Sequence, residues 1–526
     1  MVMLLLYKVR KVKKHVNIIP IMLIFLALVL IGLLMVSVGG GRSLSKKALP
    51  ENTPKYGMWD EDVEVGMMGL PDDETLANRV DELLNVESIP VVNLSTEVAI
   101  NDKEKYENLL MSITDKDNEK YSQKNLSGGI RARGNSTLEI GRQYGPMPFK
   151  IKLDEKVDLL GMGESKKWCL IANFIDRSYV KQFIMYQTAQ LMMGEEYFQP
   201  QAKYVEVYMN GEYKGLYLLT ESIEEDEGRL GLEVELEDYE ENVPFLLEME
   251  QKDYICEQKY KPLVEKDFSS IRFFADSWVE MPGWLLDDDP NNDDCSYTPF
   301  DLKYPESFDE ISYSQEKNIR HTMNDVYESA KLGVSINQLG LDLDSFVNYY
   351  LHNEVFSNPT FVGPSVYMYR EPNSDRLRMG PLWDFDTAMF GGTEGSVDLE
   401  RNTIYKYLYK YRAFRNALAE RYQELEERLF PLIEKSIAKL GENKVLKTAV
   451  MKAEAKYNTW GRSLNGHNGF PGPTYDIPDS KILSLKSYEA HVGHISDWLF
   501  NGYDIDGYSA KGRVVWLGES LRVDSE

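Results

Sequence analysis

Cysteine is scarce in this chain: three residues in 526, Cys169, Cys256 and Cys295, far apart and odd in number. That excludes a disulfide framework, and the lack of any C-x-x-C pair excludes the common zinc spacings. Basic clusters are missing beyond the N-terminus, and the formal net charge is −26. A nucleic-acid partner would want a basic face, so that class is set aside, while an acidic surface favours solubility and association with cations. The acidic run Asp287 to Asp294 also lacks what a calcium loop needs. Counted from Asp289, Asp294 stands where the turn glycine belongs and Phe300 stands where the closing Glu belongs. The EF-hand pattern fails, leaving a solvated acidic loop.

One stretch lacks charge altogether. Asn17 to Val38 is a run of about 20 mostly apolar residues, long enough to span a bilayer, and it follows Lys8, Arg10, Lys11, Lys13 and Lys14. Positive charge before the span predicts a cytoplasmic tail over 1–16, a transmembrane anchor over 17–38 and a large extracytoplasmic remainder. Cleavage as a signal peptide is the alternative, although the apolar run is long for one and no A-x-A site follows.

Residues 39–87 read as a linker and an acidic segment, with Asp72-Asp73-Glu74-Thr75 opening a helix that runs through Leu84. The main domain is expected over 88–505, with a C-terminal tail over 506–526. Its first part carries strand-like runs at Ile89–Leu94, Phe149–Lys152, Tyr204–Tyr208 and Gly215–Leu219, and Asn210-Gly211 is a strong hairpin turn. A helical pattern lies at Tyr179–Met193. The second part predicts helices at Ser314–Lys331, at Ser345–Phe356 with Asp344 as N-cap, at Tyr411–Leu440, at Val445–Trp460 and at Tyr488–Leu499. The fold class is therefore α+β, with an antiparallel sheet first and mostly helices after it. His491 and His494 stand three apart on one helix but lack a third ligand nearby, and Cys169 reads as a small core residue.

The most informative motif is Gly380-Pro381-Leu382-Trp383-Asp384-Phe385-Asp386, at the end of a strand-like region. In an extended chain, Asp384 and Asp386 would point the same way. Paired hard oxygens of this kind bind Mg²⁺ or Ca²⁺, and Mg²⁺ usually completes its shell with substrate phosphates. A tight turn with two solvated acids is the simpler alternative. A glycoside hydrolase also uses two carboxylates, but they stand at least about 5 Å apart across a sugar cleft, and no such second acid is picked out.

Five motifs in order resemble the CotH kinase family, the spore-coat protein H group of atypical kinases. They are Gly129-Ile130-Arg131-Ala132-Arg133-Gly134-Asn135-Ser136-Thr137, the strand Pro148–Leu153, the segment Lys167–Ser178, the hairpin Asn210–Glu221 and the Trp383-Asp384-Phe385-Asp386 run. Lys303-Tyr304-Pro305-Glu306 is similar to a further element of that family. The resemblance spans roughly residues 88 to 500. It implies an atypical protein-kinase-like fold that takes ATP with Mg²⁺ or Mn²⁺ and transfers phosphate to a protein hydroxyl. The implied partners are a protein substrate or a surface or coat protein.

On that resemblance Asp384 is the metal-binding aspartate, with Asp386 beside it. The family's base Asp and metal-assisting Asn are not matched, because Thr360 stands at the first position and Ser365 at the second. A threonine hydroxyl is no general base near neutral pH, although Ser365 could still ligate a metal. Arg131 and Arg133, on one strand face, could both meet phosphates, and Gly134-Asn135-Ser136 would offer backbone N–H groups to an anion. The alternative for Arg131 and Asn135 is pairing with buried acids. Lys150 and Lys152 are the candidate nucleotide lysines, read as lying on alternate faces so that only one meets the cleft. Glu221 could orient that lysine or be a surface acid, and Asp176 reads as the N-cap of a helix over Arg177–Met193. Two functions follow: an extracytoplasmic kinase, or a degenerate, membrane-tethered binding or assembly protein.

Overall fold

Strands β1 (Val91–Ser95), β2 (Glu107–Thr114), β3 (Gln123–Ala132), β4 (Phe149–Asp158), β5 (Glu164–Ala172), β6 (Ala202–Met209) and β7 (Glu212–Glu221) close into a barrel in the order β1-β2-β3-β4-β5-β7-β6. The computed structural model describes residues 57–239, 242–249, 270–271, 300–305, 310–358, 365–389, 392–395, 403–461, 484–505 and 508–525. The expected anchor at 17–38, the acidic loop at 287–294, Cys256, Cys295 and Thr360 lie outside these residues. No described helix is long and apolar enough to cross a membrane.

The mixed α+β class is as expected, but the sheet expected to be antiparallel closes into a barrel through one parallel pairing. β1 pairs antiparallel with β2 and parallel with β6. That one parallel pairing joins the two ends of the ladder and removes its free edges. Alternating side chains fill the interior, among them Val92, Ile113, Ile130, Ile151, Trp168, Val205 and Leu219. Each fully buried apolar side chain of this size contributes about 1.5–3 kcal/mol. The Asn210-Gly211 turn forms as predicted, both residues having positive φ (+52° and +80°), with Met209 paired to Glu212.

β5 and β7 are buried on both faces because helices pack outside the barrel there, which explains their unbroken apolar runs. Helices α1 (Asp73–Leu84), α2 (Ser136–Tyr144) and α3 (Lys181–Met193) are the first three described. Of the thirteen residues of α3, twelve are buried, so it is a central rather than a surface helix. It starts later than the expected Arg177, and Asp176 does not occupy the N-cap. From the preceding turn, the Asp176 carboxylate accepts the Ser178 and Gln182 backbone N–H groups, each at 3.0 Å.

A second sheet follows, in the order β12-β11-β8-β10-β9, from β8 (Phe245–Met249), β9 (Ser270–Ile271), β10 (Phe300–Tyr304), β11 (Tyr367–Arg370) and β12 (Arg378–Met379). The helical part holds α4 (Tyr313–Leu332), α5 (Leu343–Val355), α6 (Thr403–Leu408), α7 (Arg412–Glu424), α8 (Phe430–Glu442), α9 (Lys444–Tyr457), α10 (Tyr488–Ser496) and α11 (Arg513–Ser525). The cap of α5 is Asp342, which accepts the Ser345 N–H at 3.0 Å. Asp344, expected in that role, instead accepts the Met68 N–H at 2.9 Å. The long pattern at Tyr411–Leu440 contains a π turn at Leu425–Leu429, just before Pro431. Proline has no N–H and clashes with the carbonyl four residues back, and the wider turn relieves both.

Residues 57–70 cross the helical part as an extended strap. Met58 N–H donates to the Gly333 carbonyl at 2.8 Å, the Arg412 N–H donates to the Trp59 carbonyl at 2.8 Å, and the Leu70 N–H donates to Glu424 at 2.8 Å. At the other end of the chain, the buried Arg513 guanidinium meets the buried Glu354 carboxylate at 2.7 Å and ties α11 to α5.

Candidate functional site

Asp384 has φ +61°, a left-handed conformation that ends the extended chain after β12. The expected alternation therefore does not apply, and the two aspartates converge through a turn instead. Phe385 goes fully into the core, where it meets Tyr186 edge-on at 4.8 Å, and Trp383 meets the same ring at 5.6 Å. With the aromatic pair clamped on α3, the carboxylates between and after them stay partly exposed.

The two acids interact strongly. Burial raises the Asp384 pKa, opposed by Arg133 and by a hydrogen bond from the Ser365 side chain, while Glu248 adds to the rise. Asp386 is pushed up to about 7, chiefly by burial and then by the Asp384 charge, against Arg133 and Lys181. Ser365, the residue standing where the resemblance wants Asn, is thus brought directly to Asp384.

Arg133 lies with its guanidinium 5.4 Å from the Trp383 ring centroid. Burial works against its charge, yet Cys169, Tyr186, Asp386 and Asp384 outweigh this and hold its pKa above the usual range. Arg131 goes elsewhere. It donates to the Lys103 carbonyl and lies over the Tyr106 ring at 5.0 Å. The two arginines part because β3 ends at Ala132, so strand alternation does not reach Arg133. Asn135 is exposed and accepts from Lys103 Nζ at 3.1 Å, so neither Arg131 nor Asn135 has a buried acid as partner in these contacts. Gly134, at φ +84°, could not carry a side chain: an added Cβ would stand 2.5 Å from Thr137 Oγ1.

Lys150 and Lys152 were expected on alternate faces, but residues two apart in a strand share a face. Phe149, Ile151 and Leu153 fill the barrel, and both lysines point outward. What separates them is partnership. Lys150 reaches Glu224 at 2.8 Å, and Lys167 takes the other oxygen of that carboxylate at 2.7 Å, whereas Lys152 is exposed. Burial alone would raise the Glu224 pKa, but Lys150 and Lys167 together lower it. Glu221 is neither a surface acid nor the partner of Lys150. It is buried against Arg229 at 2.6 Å, and burial pushes it up to about 7. Cys169 faces Lys150 across the β4–β5 pair and also neighbours Arg133 electrostatically. Both cations therefore look onto the same outer face of the barrel.

Two contributors were missed from sequence. Lys181 is buried, donates to the Ala388 carbonyl at 2.8 Å and neighbours Asp176 and Asp386; burial lowers its pKa. Its signal was a lone lysine inside an apolar helical run. Glu224 was hidden in the acidic stretch after β7. His491 and His494 instead stack on Trp460 and Tyr503, at 5.0 and 5.5 Å. Among the described residues no group of three His, Cys, Asp or Glu could hold a metal.

The pieces form a face where a carboxylate pair, a serine hydroxyl, the partly buried Arg133 and the buried Lys181 meet beside the barrel wall, on a scaffold of barrel, second sheet and helices. Its polar groups are carboxylates, a hydroxyl and cationic side chains. A family profile described as CotH kinase protein matches residues 130–501, and the chain belongs to that family. A search of curated proteins finds no match.

Proposed function

We propose that this chain is an extracytoplasmic CotH-like atypical kinase that binds ATP with Mg²⁺ or Mn²⁺ and phosphorylates a protein hydroxyl. The observation that carries this reading is the convergence of Asp384, Asp386 and Ser365 beside Arg133 and Lys181. The donor set suits Mg²⁺, which is commonly held by one or two carboxylates and completed by phosphate oxygens, better than Ca²⁺, which wants six to eight oxygens. Asn173, fully buried, has both amide atoms without a partner among the described residues, as has the Nε2 of the buried Gln182.

When bound, the metal would supply charge neutralisation between phosphate oxygens. Asp384 and Ser365 would hold it, with Asp386 in support. Arg133 offers a fork to the phosphates, and Lys150, set by Glu224, is the candidate for a second contact. Thr360 cannot take the acceptor proton, so that role falls to Asp386 or to a group on the substrate.

The departures at Thr360 and Ser365 favour a second reading, a membrane-tethered family member that binds or assembles at the cell surface without transfer. Thermal unfolding of the full-length chain with ATP and Mg²⁺ or Mn²⁺ separates the two. Ligand at a hundred times its Kd stabilises by ~2.7 kcal/mol. The kinase reading expects a metal-dependent shift, lost in Asp384→Ala, together with phosphate appearing on protein. No shift at millimolar ATP would reject nucleotide binding and leave the second reading.

A further inference from the structure

The loop that carries Asp384 and Asp386 is seated against the end of α5. The Met389 N–H donates to the Phe356 carbonyl at 2.9 Å, and the Phe385 ring lies 5.3 Å from His352. Strain gathers on both sides of this seam. Ser357 and Met389 hold left-handed backbone at φ +45° and +56°, as do Ser365 and Asp384 at +73° and +61°. Non-glycine residues persist in that region only where the surrounding structure enforces it. Two segments that meet at one carboxylate, both strained, therefore need a clamp that fixes one against the other.

Arg513, the first residue of α11, bonds to both. Its side chain is 0 % exposed. Nε donates to the Glu354 carbonyl at 2.8 Å, and Nη2 donates to the Glu354 carboxylate at 2.7 Å. Nη1 donates to the Thr393 carbonyl at 3.2 Å and to the Gly395 carbonyl. Glu354 lies in the last turn of α5, two residues before Phe356, and Thr393 follows the aspartate loop, four residues beyond Met389. One planar fork thus spans the two segments, which a point charge such as an ammonium could not do. The helix behind it is firmly placed, with Val514, Leu517 and Leu521 buried and the Tyr422 hydroxyl donating to the Val514 carbonyl. A buried ion pair adds little net stability, because desolvation offsets the attraction. Its directional bonds are what remain to be explained.

We infer that Arg513 is a positioning residue of the aspartate site, holding the end of α5 and the Asp384 loop in the one arrangement that brings Ser365 and Asp384 onto a single metal ion. The inference rests on the metal-binding reading of that site. Two measurements on the full-length chain test it: titration with Mn²⁺ followed by the paramagnetic resonance of the free ion, and hydrogen–deuterium exchange over Asp384–Met389. Arg513→Lys keeps a charge beside Glu354 but loses the fork. It should weaken Mn²⁺ binding by roughly tenfold or more, the usual effect of removing a support behind metal ligands, and speed exchange in the loop. Arg522→Ala, which removes the exposed pair with Glu426 on the same helix, should do neither. The double variant Arg513→Met with Glu354→Leu removes both buried charges and guards against misfolding; it should show the same loss as Arg513→Lys. Parental Mn²⁺ affinity in a folded Arg513→Lys would overturn the inference, since Arg513 would then serve only to neutralise Glu354. So would an equal loss in Arg522→Ala, which would credit helix docking in general. A parent chain that takes up no Mn²⁺ would reject the metal site itself and this inference with it, and that titration stands apart from the variants.

Discussion

The Ser365 side chain hydrogen-bonds the Asp384 carboxylate, and both residues hold left-handed backbone, at φ +73° and +61°. Non-glycine residues in that region cost of order 1–3 kcal/mol each unless the surroundings enforce them. Here two strained residues from different segments are joined at one carboxylate, which already lies close to a second. The arrangement opposes stability and concentrates negative charge, as a site for a cation would.

Asp384→Asn should therefore stabilise the chain in chelator-containing buffer by roughly 1 kcal/mol, since asparagine tolerates left-handed backbone and removes one of two neighbouring charges. The same variant should show no metal-dependent nucleotide shift. Urea unfolding with EDTA measures the first effect; a loss of stability would mean that Asp384 is a structural anchor.

His352 gives a pH signature. It is fully buried, its Nε2 donates to the Met185 carbonyl at 3.0 Å, and its ring packs 5.3 Å from Phe385. Burial lowers its pKa to about 4 from an ordinary 6.5, opposed by the Met185 contact. The unfolded chain then binds the proton first as pH falls. Stability contributed by this residue is full above about 6.5 and declines toward pH 4, by on the order of 3 kcal/mol in all. In His352→Gln the acid-side decline between those values should be shallower by about that amount. An unchanged slope would show that the histidine charges without penalty.

The Lys150–Glu224–Lys167 bridge makes a separate prediction. Glu224→Gln leaves two partly buried ammonium groups facing a neutral amide and should cost about 2 kcal/mol in chemical unfolding. It should also weaken ATP binding if Lys150 contacts phosphate. Affinity equal to the parent's, in a folded variant, would take Lys150 out of the site.

Thr360→Asp restores the carboxylate that the family pattern carries. If transfer geometry is otherwise intact, phosphoryl transfer to acceptor protein should rise by about a hundredfold or more, the usual range for a general base. Transfer that stays at background with ATP still bound would assign the chain to the non-catalytic reading.

Much of the architecture was legible in the chain. Apolar alternation located four of the barrel strands, β1, β4, β6 and β7, but not β2; Asn210-Gly211 located a hairpin, and five ordered motifs pointed to the family whose profile matches 130–501. These are local signals, set by side-chain periodicity and turn chemistry over a few residues. Barrel closure was not legible, because the parallel β1–β6 pairing joins strands over a hundred residues apart. Local caps also misled: Asp342 and Asp344 are equally suited to cap α5, and only the packing of the strap at Met68 decides between them.

The sequence by itself determined which groups were available: Asp384 and Asp386 around one aromatic, two arginines and a glycine after a strand, and a threonine and a serine where a base and an amide were expected. Tertiary structure alone decided their company. It bent the chain at Asp384, sent Arg133 to the aspartates and Arg131 away from them, and chose Glu224 rather than Glu221 for Lys150. The physical reason is range. Backbone preference acts over neighbouring residues, whereas electrostatic and packing partners are drawn from segments that only the closed barrel and its buried helix α3 bring together.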